Sequence, residues 1–317
     1  DQGKKVGIIG WWASWPAEKV NGFIISDHIA YHGFGLTSAN VKTEAGLTYP
    51  QEIADEIKLL QHNPQKLSKS QIDRFMDITE EEYNISIHAE FSFANPLHHF
   101  MYAFANSKTY LDIYRKLKPA YDVDLMGIYF EGVDTVGHLY MKYRPPMMEG
   151  MPKEYFQKYS RVMDEYYVYQ DEILGEILQD LDAKTTVIIC SDHGFKTGDD
   201  RLKEFYSTNV QNAALWHEIN GVIILKGPNI KRNTKIEGSS VLDITPTILY
   251  LLGSPVARDM DGKVLTDAIL PGYLEKREIQ YVATYDDLEE AGDKPVQVAQ
   301  TEIDESIKER LESLGYL

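Results

Sequence analysis

Short apolar runs separated by polar, proline- or glycine-bearing stretches dominate the pattern of this chain. Residues 5–10 (KVGIIG) and 23–26 (FIIS) read as buried strands, each ending in a small or polar residue. From about residue 29 to residue 119 the character changes. Residues 51–60, 70–76 and 99–117 carry helical spacing, punctuated by Pro50, Pro64 and Pro96, so a mostly helical insertion or cap is expected there. The β signal returns at 123–130 (VDLMGIYF), 185–190 (TTVIIC), 221–225 (GVIIL) and 278–283 (EIQYVA). These runs lack strict alternation, which suits strands covered on both faces, as in a parallel sheet. One long helix is expected over about 153–181. Its stripe of Phe156, Tyr159, Met163, Tyr166, Tyr167, Leu174, Ile177 and Leu181 at helical spacing reads as core packing. Asp243, or the Thr after it, caps a further helix with Pro246 in its first turn and Gly253 at its end. The order of elements predicts an α/β fold, with a mostly parallel central sheet and helices on both faces. One domain over 1–317 is expected, with the insertion at about 29–119 and a peripheral tail at about 286–317 that is acidic, then helical.

Composition narrows the function. With 43% apolar and 26% charged residues the chain can build a packed core. Lys plus Arg number 32 and Asp plus Glu 49, a net charge of −17, which argues against a general electrostatic footprint for nucleic acid or anionic membranes. An anionic substrate would need a positive partner that the composition does not count. Cys190 is the only cysteine, so an intrachain disulfide and a cysteine-rich zinc module are both excluded. No run approaches 18 apolar residues, so no membrane span is expected. The first residues, DQGKK without an initiator Met, assign no compartment, and nothing in the sequence sets an oligomeric state.

Three segments carry chemistry, each at a strand edge. In FEGVDTVGH, Asp134 and His138 lie four apart just past a strand, a spacing that lets carboxylate and imidazole converge on one cation. In SDHGF, Asp192 and His193 follow the strand TTVIIC, where both can face a ligand crevice or simply make a polar turn. His217 precedes the strand GVIIL. Such a His and carboxylate mixture suits Zn²⁺, with Mn²⁺ or Fe²⁺ as alternatives. Asp134, His138 and His217 would form a three-ligand site with an open position, and Asp192 with His193 half of a second. Metals paired about 3.5–4 Å apart clamp the attacking and leaving oxygens of a phosphoryl transfer.

The ordered set FEGVDTVGH, SDHGF, WHEINGVIILKGP, LDITPTILYLLGSP and DMDGKVL, with the early VGIIGWWASWP and NGFIISD, resembles the alkaline phosphatase superfamily and within it the type I phosphodiesterase/nucleotide pyrophosphatase group. The resemblance implies metal-dependent hydrolysis of phosphate esters: a phosphodiester, a nucleotide pyrophosphate or a monoester, as a small-molecule substrate. It implies two divalent ions, one held by Asp134, His138 and His217, the other partly by Asp192 and His193, and a Ser or Thr nucleophile that is transiently phosphorylated. The family's nucleophile and first metal-ligand Asp lie upstream of a VGIIGWW-like segment. The chain therefore reads as the family without its N-terminal section, with one complete metal site expected. Ser14 and Asp27 are the nearest substitutes for the nucleophile and the ligand. Lys196 is a candidate phosphate contact and otherwise a surface lysine. His88, His98 and His99 read as polar residues of the cap, and Tyr31 and His32 as neighbours of the site mouth. A metal-binding module without turnover, and a phosphoglycerate mutase-like phosphotransferase, are the competing readings.

Overall fold

A computed structural model of the chain describes residues 3–30, 45–89, 95–203 and 213–286. Tyr31 and His32, and the tail from 287 onward, lie outside them. Strands β1 (Val6–Ile9), β2 (Gly22–Ile25), β3 (Thr48–Tyr49) and β4 (Leu125–Ile128) form a sheet in the order β3-β2-β1-β4. β1 runs parallel to both β2 and β4, and β3 runs antiparallel to β2. Ile9, Phe23 and Ile25 of this sheet are fully buried. The result is a mixed, mostly parallel sheet in an α/β setting.

Residues 54–117 supply α1 (Ala54–Lys58), α2 (Lys69–Asp73), α3 (Glu80–His88) and α4 (Pro96–Leu117). α4 starts where Asn95 accepts the N–H of Leu97 and Pro96 occupies the first turn. Its Phe100, Phe104, Tyr110 and Ile113 sink into the main core together with Phe75 and Tyr166. His98 and His99 are buried within it as well.

Beyond β4 come α5 (Gly132–Tyr140), α6 (Lys153–Tyr159) and α7 (Val162–Gln179). The single helix expected over 153–181 is thus two helices. The Lys158 carbonyl, which would accept the Val162 N–H in an unbroken helix, accepts the N–H of Asp77 at 3.1 Å instead. Arg161, at the break, reaches back to Asp77 Oδ1 at 2.8 Å. A contact 81 residues away along the chain, between Lys158 and Asp77, ends the helix.

β5 (Val187–Ser191), β6 (Gly194–Phe195), β7 (His217–Glu218) and β8 (Val222–Lys226) make two antiparallel ribbons, β5 with β8 and β6 with β7. The runs at 185–190 and 221–225, expected in the parallel sheet, are therefore antiparallel partners. The β6–β7 ribbon reverses the chain between them and returns β8 alongside β5. Cover is also one-sided: Leu225 packs on a second, smaller core, whereas Val222 and Ile224 are 49% and 52% exposed.

That smaller core gathers Ile230, Tyr250, Val256, Val264 and Ile269 around α8 (Ile244–Leu252), with β9 (Val256–Ala257), α9 (Pro271–Leu274) and β10 (Tyr281–Val282) beside it. As the sequence predicts, Gly253 ends α8 in the left-handed region, at φ 77°. Asp243 precedes the helix but its side chain does not cap it; it accepts the Ser240 N–H in a capping box of the preceding turn instead.

Candidate metal centre

Glu131 and the two glycines of FEGVDTVGH determine where α5 lies. A Cβ at Gly132 would fall 1.9 Å from the Tyr166 hydroxyl, and one at Gly137 would fall 2.6 Å from the Phe195 ring. Real side chains cannot approach so closely, so only glycine lets α5 lie against α7 on one side and β6 on the other. Asp134 stands in the first turn of α5, where the helix dipole favours a carboxylate, and His138 follows one turn later on the same face.

The β6–β7 ribbon brings in the other two imidazoles. Phe195 pairs with His217 across it, and the Lys196 N–H donates to the Trp216 carbonyl at 2.8 Å. His217 is thereby laid over His193, their ring centroids 3.6 Å apart and 18° from parallel. The edge of Phe195 closes on His138 with a centroid distance of 5.0 Å.

Asp134, His193 and His217 each bring one donor atom within 4.8 Å of the other two, and His138 lies beside Asp134 and His217. Asp134 Oδ1 lies 3.3 Å from His138 Nε2, 3.4 Å from His193 Nε2 and 4.0 Å from His217 Nε2. His138 Nε2 and His217 Nε2 are 3.0 Å apart. Donors held tetrahedrally at about 2.0–2.1 Å from one zinc-type ion stand roughly 3.3 Å from each other, so most of these spacings match the edges of such a site. Hydrogen bonding points the same way. His193 Nδ1 contacts the Gly194 carbonyl at 3.0 Å, an N–H donating to a carbonyl, and its Nε2 is the nitrogen turned toward Asp134. That nitrogen lies 3.4 Å from Asp134 Oδ1, a carboxylate oxygen which is itself buried and accepts no hydrogen bond. A cation held there would meet a buried negative charge. Burial first, then the neighbouring His193 and His138, pushes the pKa of His217 down to about 4, so this ring is neutral at pH 7. Neutral imidazole is the form that binds metal.

The remaining predicted residues lie apart from this convergence to different degrees. Asp192 is 77% exposed at its side chain, with Oδ1 3.9 Å from His193 Nε2. His193 is thus gathered with Asp134 and His217 rather than set aside with Asp192. Lys196 follows β6 by one residue, and no carboxylate among the described residues lies within 4.0 Å of its ammonium. Ser14 makes its contacts elsewhere: its hydroxyl donates to the Trp11 carbonyl at 2.5 Å and accepts the Asp27 N–H at 3.2 Å. Asp27 itself is buried, its Oδ1 3.4 Å from Ser14 Oγ.

One supporting residue escaped the sequence reading. Glu131 accepts from Trp12 Nε1 and from Asn106 Nδ2, each at 3.1 Å, and so ties the loop after β1 and helix α4 to the start of α5. Its position inside FEGVDTVGH was the available signal, but its partners are distant in sequence.

A comparison with curated proteins finds no match for this chain. The family model described as type I phosphodiesterase / nucleotide pyrophosphatase matches residues 2–285, which take in every donor of the cluster and both cores. With that span matched and those donors converging, the chain belongs to the type I phosphodiesterase / nucleotide pyrophosphatase family of the alkaline phosphatase superfamily.

Proposed function

We propose that this chain binds a divalent ion through Asp134, His138, His193 and His217 and takes part in hydrolysing phosphate esters, with phosphodiesters and nucleotide pyrophosphates as the first substrates to test. The observation that carries the reading is the gathering of donor atoms of Asp134, His193 and His217 at a buried carboxylate oxygen that accepts no hydrogen bond. Zinc suits three imidazoles and one carboxylate best, with Mn²⁺ or Fe²⁺ as alternatives. A bound ion of this kind supplies positive charge to phosphoryl oxygens and lowers the pKa of a coordinated hydroxyl or water.

The chain's own groups do the rest. Asp134 fixes the centre electrostatically, and the Gly194 carbonyl holds His193 in the tautomer that presents Nε2. Phe195 shields the His138 side of the cluster from water. Lys196 stands by as a cation for a phosphate oxygen in a chain of net charge −17. Asp192, beside His193, is the residue left to serve a second ion.

A second reading has its own support. Because the Ser14 hydroxyl is engaged with Trp11 and Asp27, a metal-binding module without turnover also fits. Hydrolysis of an aryl phosphate diester and monoester, with added Zn²⁺ and after chelation, separates the two. Turnover that needs the metal and falls by about 100-fold or more in Asp134→Asn, the upper range for losing even an outer-shell partner, supports the hydrolase. Tight ion binding with no turnover on either ester supports the module. Turnover that survives both chelation and Asp134→Asn contradicts both.

A further inference from the structure

Arg201 is 4% exposed, and its guanidinium reaches no carboxylate within 4.0 Å among the described residues. Its hydrogens go to backbone carbonyls instead. Nε donates to Gly198 O at 2.7 Å, Nη2 to Pro146 O at 2.7 Å, and Nη1 to Arg144 O and, at 3.4 Å, to Met141 O. Burying a charge without an opposite charge is costly, and an apolar side chain would fill the space more cheaply. What an apolar side chain could not do is join these carbonyls. Gly198 belongs to the turn that leaves β6, just past His193 and Phe195. Met141, Arg144 and Pro146 belong to the segment that continues α5, just past His138. A guanidinium is a planar fork with fixed donor directions, so four acceptors on one such group set the two segments at a fixed spacing.

We propose that Arg201 is a positioning residue that holds the His193 turn against the Asp134–His138 helix and so sets the separation of the metal donors. The proposal rests on reading this cluster as a metal centre, and it adds to that reading a part of the chain outside the donor set. Phe195 against Gly137 blocks closer approach of the same two segments, while Arg201 prevents their separation.

Arg201→Lys is the variant to make, because it keeps the charge and loses the fork. Ile72→Val, a change in the main core, serves as a control of altered stability. Two readouts are taken on the full chain: backbone amide exchange with metal absent, and affinity for Zn²⁺ or Co²⁺, with the Co²⁺ absorption spectrum reporting ligand geometry. In Arg201→Lys, exchange is expected to rise together in 141–146 and 194–201, with Ile72→Val leaving both unchanged. Ion affinity is expected to fall by about 10-fold, the low end for outer-shell partners, and the Co²⁺ spectrum to change. Exchange that rises in neither segment, or in one alone, overturns the tie. Faster exchange with unaltered affinity and spectrum overturns its role in setting the donors. If the unsubstituted chain binds neither ion, the metal reading falls and this role falls with it, while amide exchange still decides whether Arg201 joins the two segments.

Discussion

Asp134 brings a carboxylate into the middle of three imidazoles. Its Oδ1 is buried, accepts no hydrogen bond and faces three imidazole nitrogens within 4.0 Å. Replacing it with Asn removes a charge and supplies donors to those nitrogens. Asp134→Asn is therefore expected to stabilise the metal-free protein by about 1 kcal/mol in urea unfolding while abolishing tight ion binding, a stability–function trade at one residue. A loss of metal-free stability would count against the account. Gly137 predicts the opposite balance. A methyl group there must push Phe195 aside, so Gly137→Ala should cost about 1–3 kcal/mol and weaken ion affinity, both readable by unfolding and titration. His98 gives a pH dependence. Burial lowers its pKa below 6.5, and it contacts the Ser86 carbonyl at 3.2 Å. As the pH falls through 6.5, the unfolded chain takes up a proton that native His98 refuses, so stability falls with pH. His98→Gln is expected to flatten that part of the stability curve between pH 7 and pH 5, and an unchanged slope would remove His98 from the account.

At the scale of elements, local chemistry was legible and distant chemistry was not. The end of α8 follows from Gly253, which takes the left-handed turn. At its start the Asp243 side chain does not cap the helix; it accepts the N–H groups of Ser240 and Lys263, each at 2.8 Å. Asp243→Ala leaves two N–H groups without partners at a buried position and should cost about 2 kcal/mol in denaturant unfolding, whereas Asp243→Asn should cost less. The Asp134–His138 pairing was legible for the same reason, since spacing by four on a helix puts both on one face. The break between α6 and α7 was not, because it is made by the Asp77 N–H on the Lys158 carbonyl. Nor was the pairing of β5 with β8. An unbroken apolar run reports the burial a strand can accept, and says nothing about which partner it meets or in which direction.

Over the whole molecule there are two cores, a large one built on β1, β2, α4, α5 and α7, which includes Val136 beside the site, and a small one built on α8. The residues of the donor cluster were all named by their order in the sequence, yet their grouping is tertiary. His193 reaches Asp134 because β6 and β7 pair and because Gly137 admits Phe195, and neither fact is written in the spacing. Arg201 carries no local pattern, and Glu131, though inside FEGVDTVGH, meets partners distant in sequence. Val222 and Ile224 lie half-exposed on one face of the β5–β8 ribbon, an apolar strand surface of the kind that favours association. The pair Val222→Thr and Ile224→Thr should reduce concentration-dependent light scattering, and unchanged scattering would show that the ribbon does not drive association. The central claim, however, is the metal centre. Its most direct test is the number of divalent ions bound per chain, by elemental analysis after Zn²⁺ loading and desalting, in the unsubstituted protein and in Asp134→Asn and His217→Gln. At least one ion per chain in the former and none in either variant is the predicted result. No bound ion under replete conditions, or full occupancy in both variants, would contradict it.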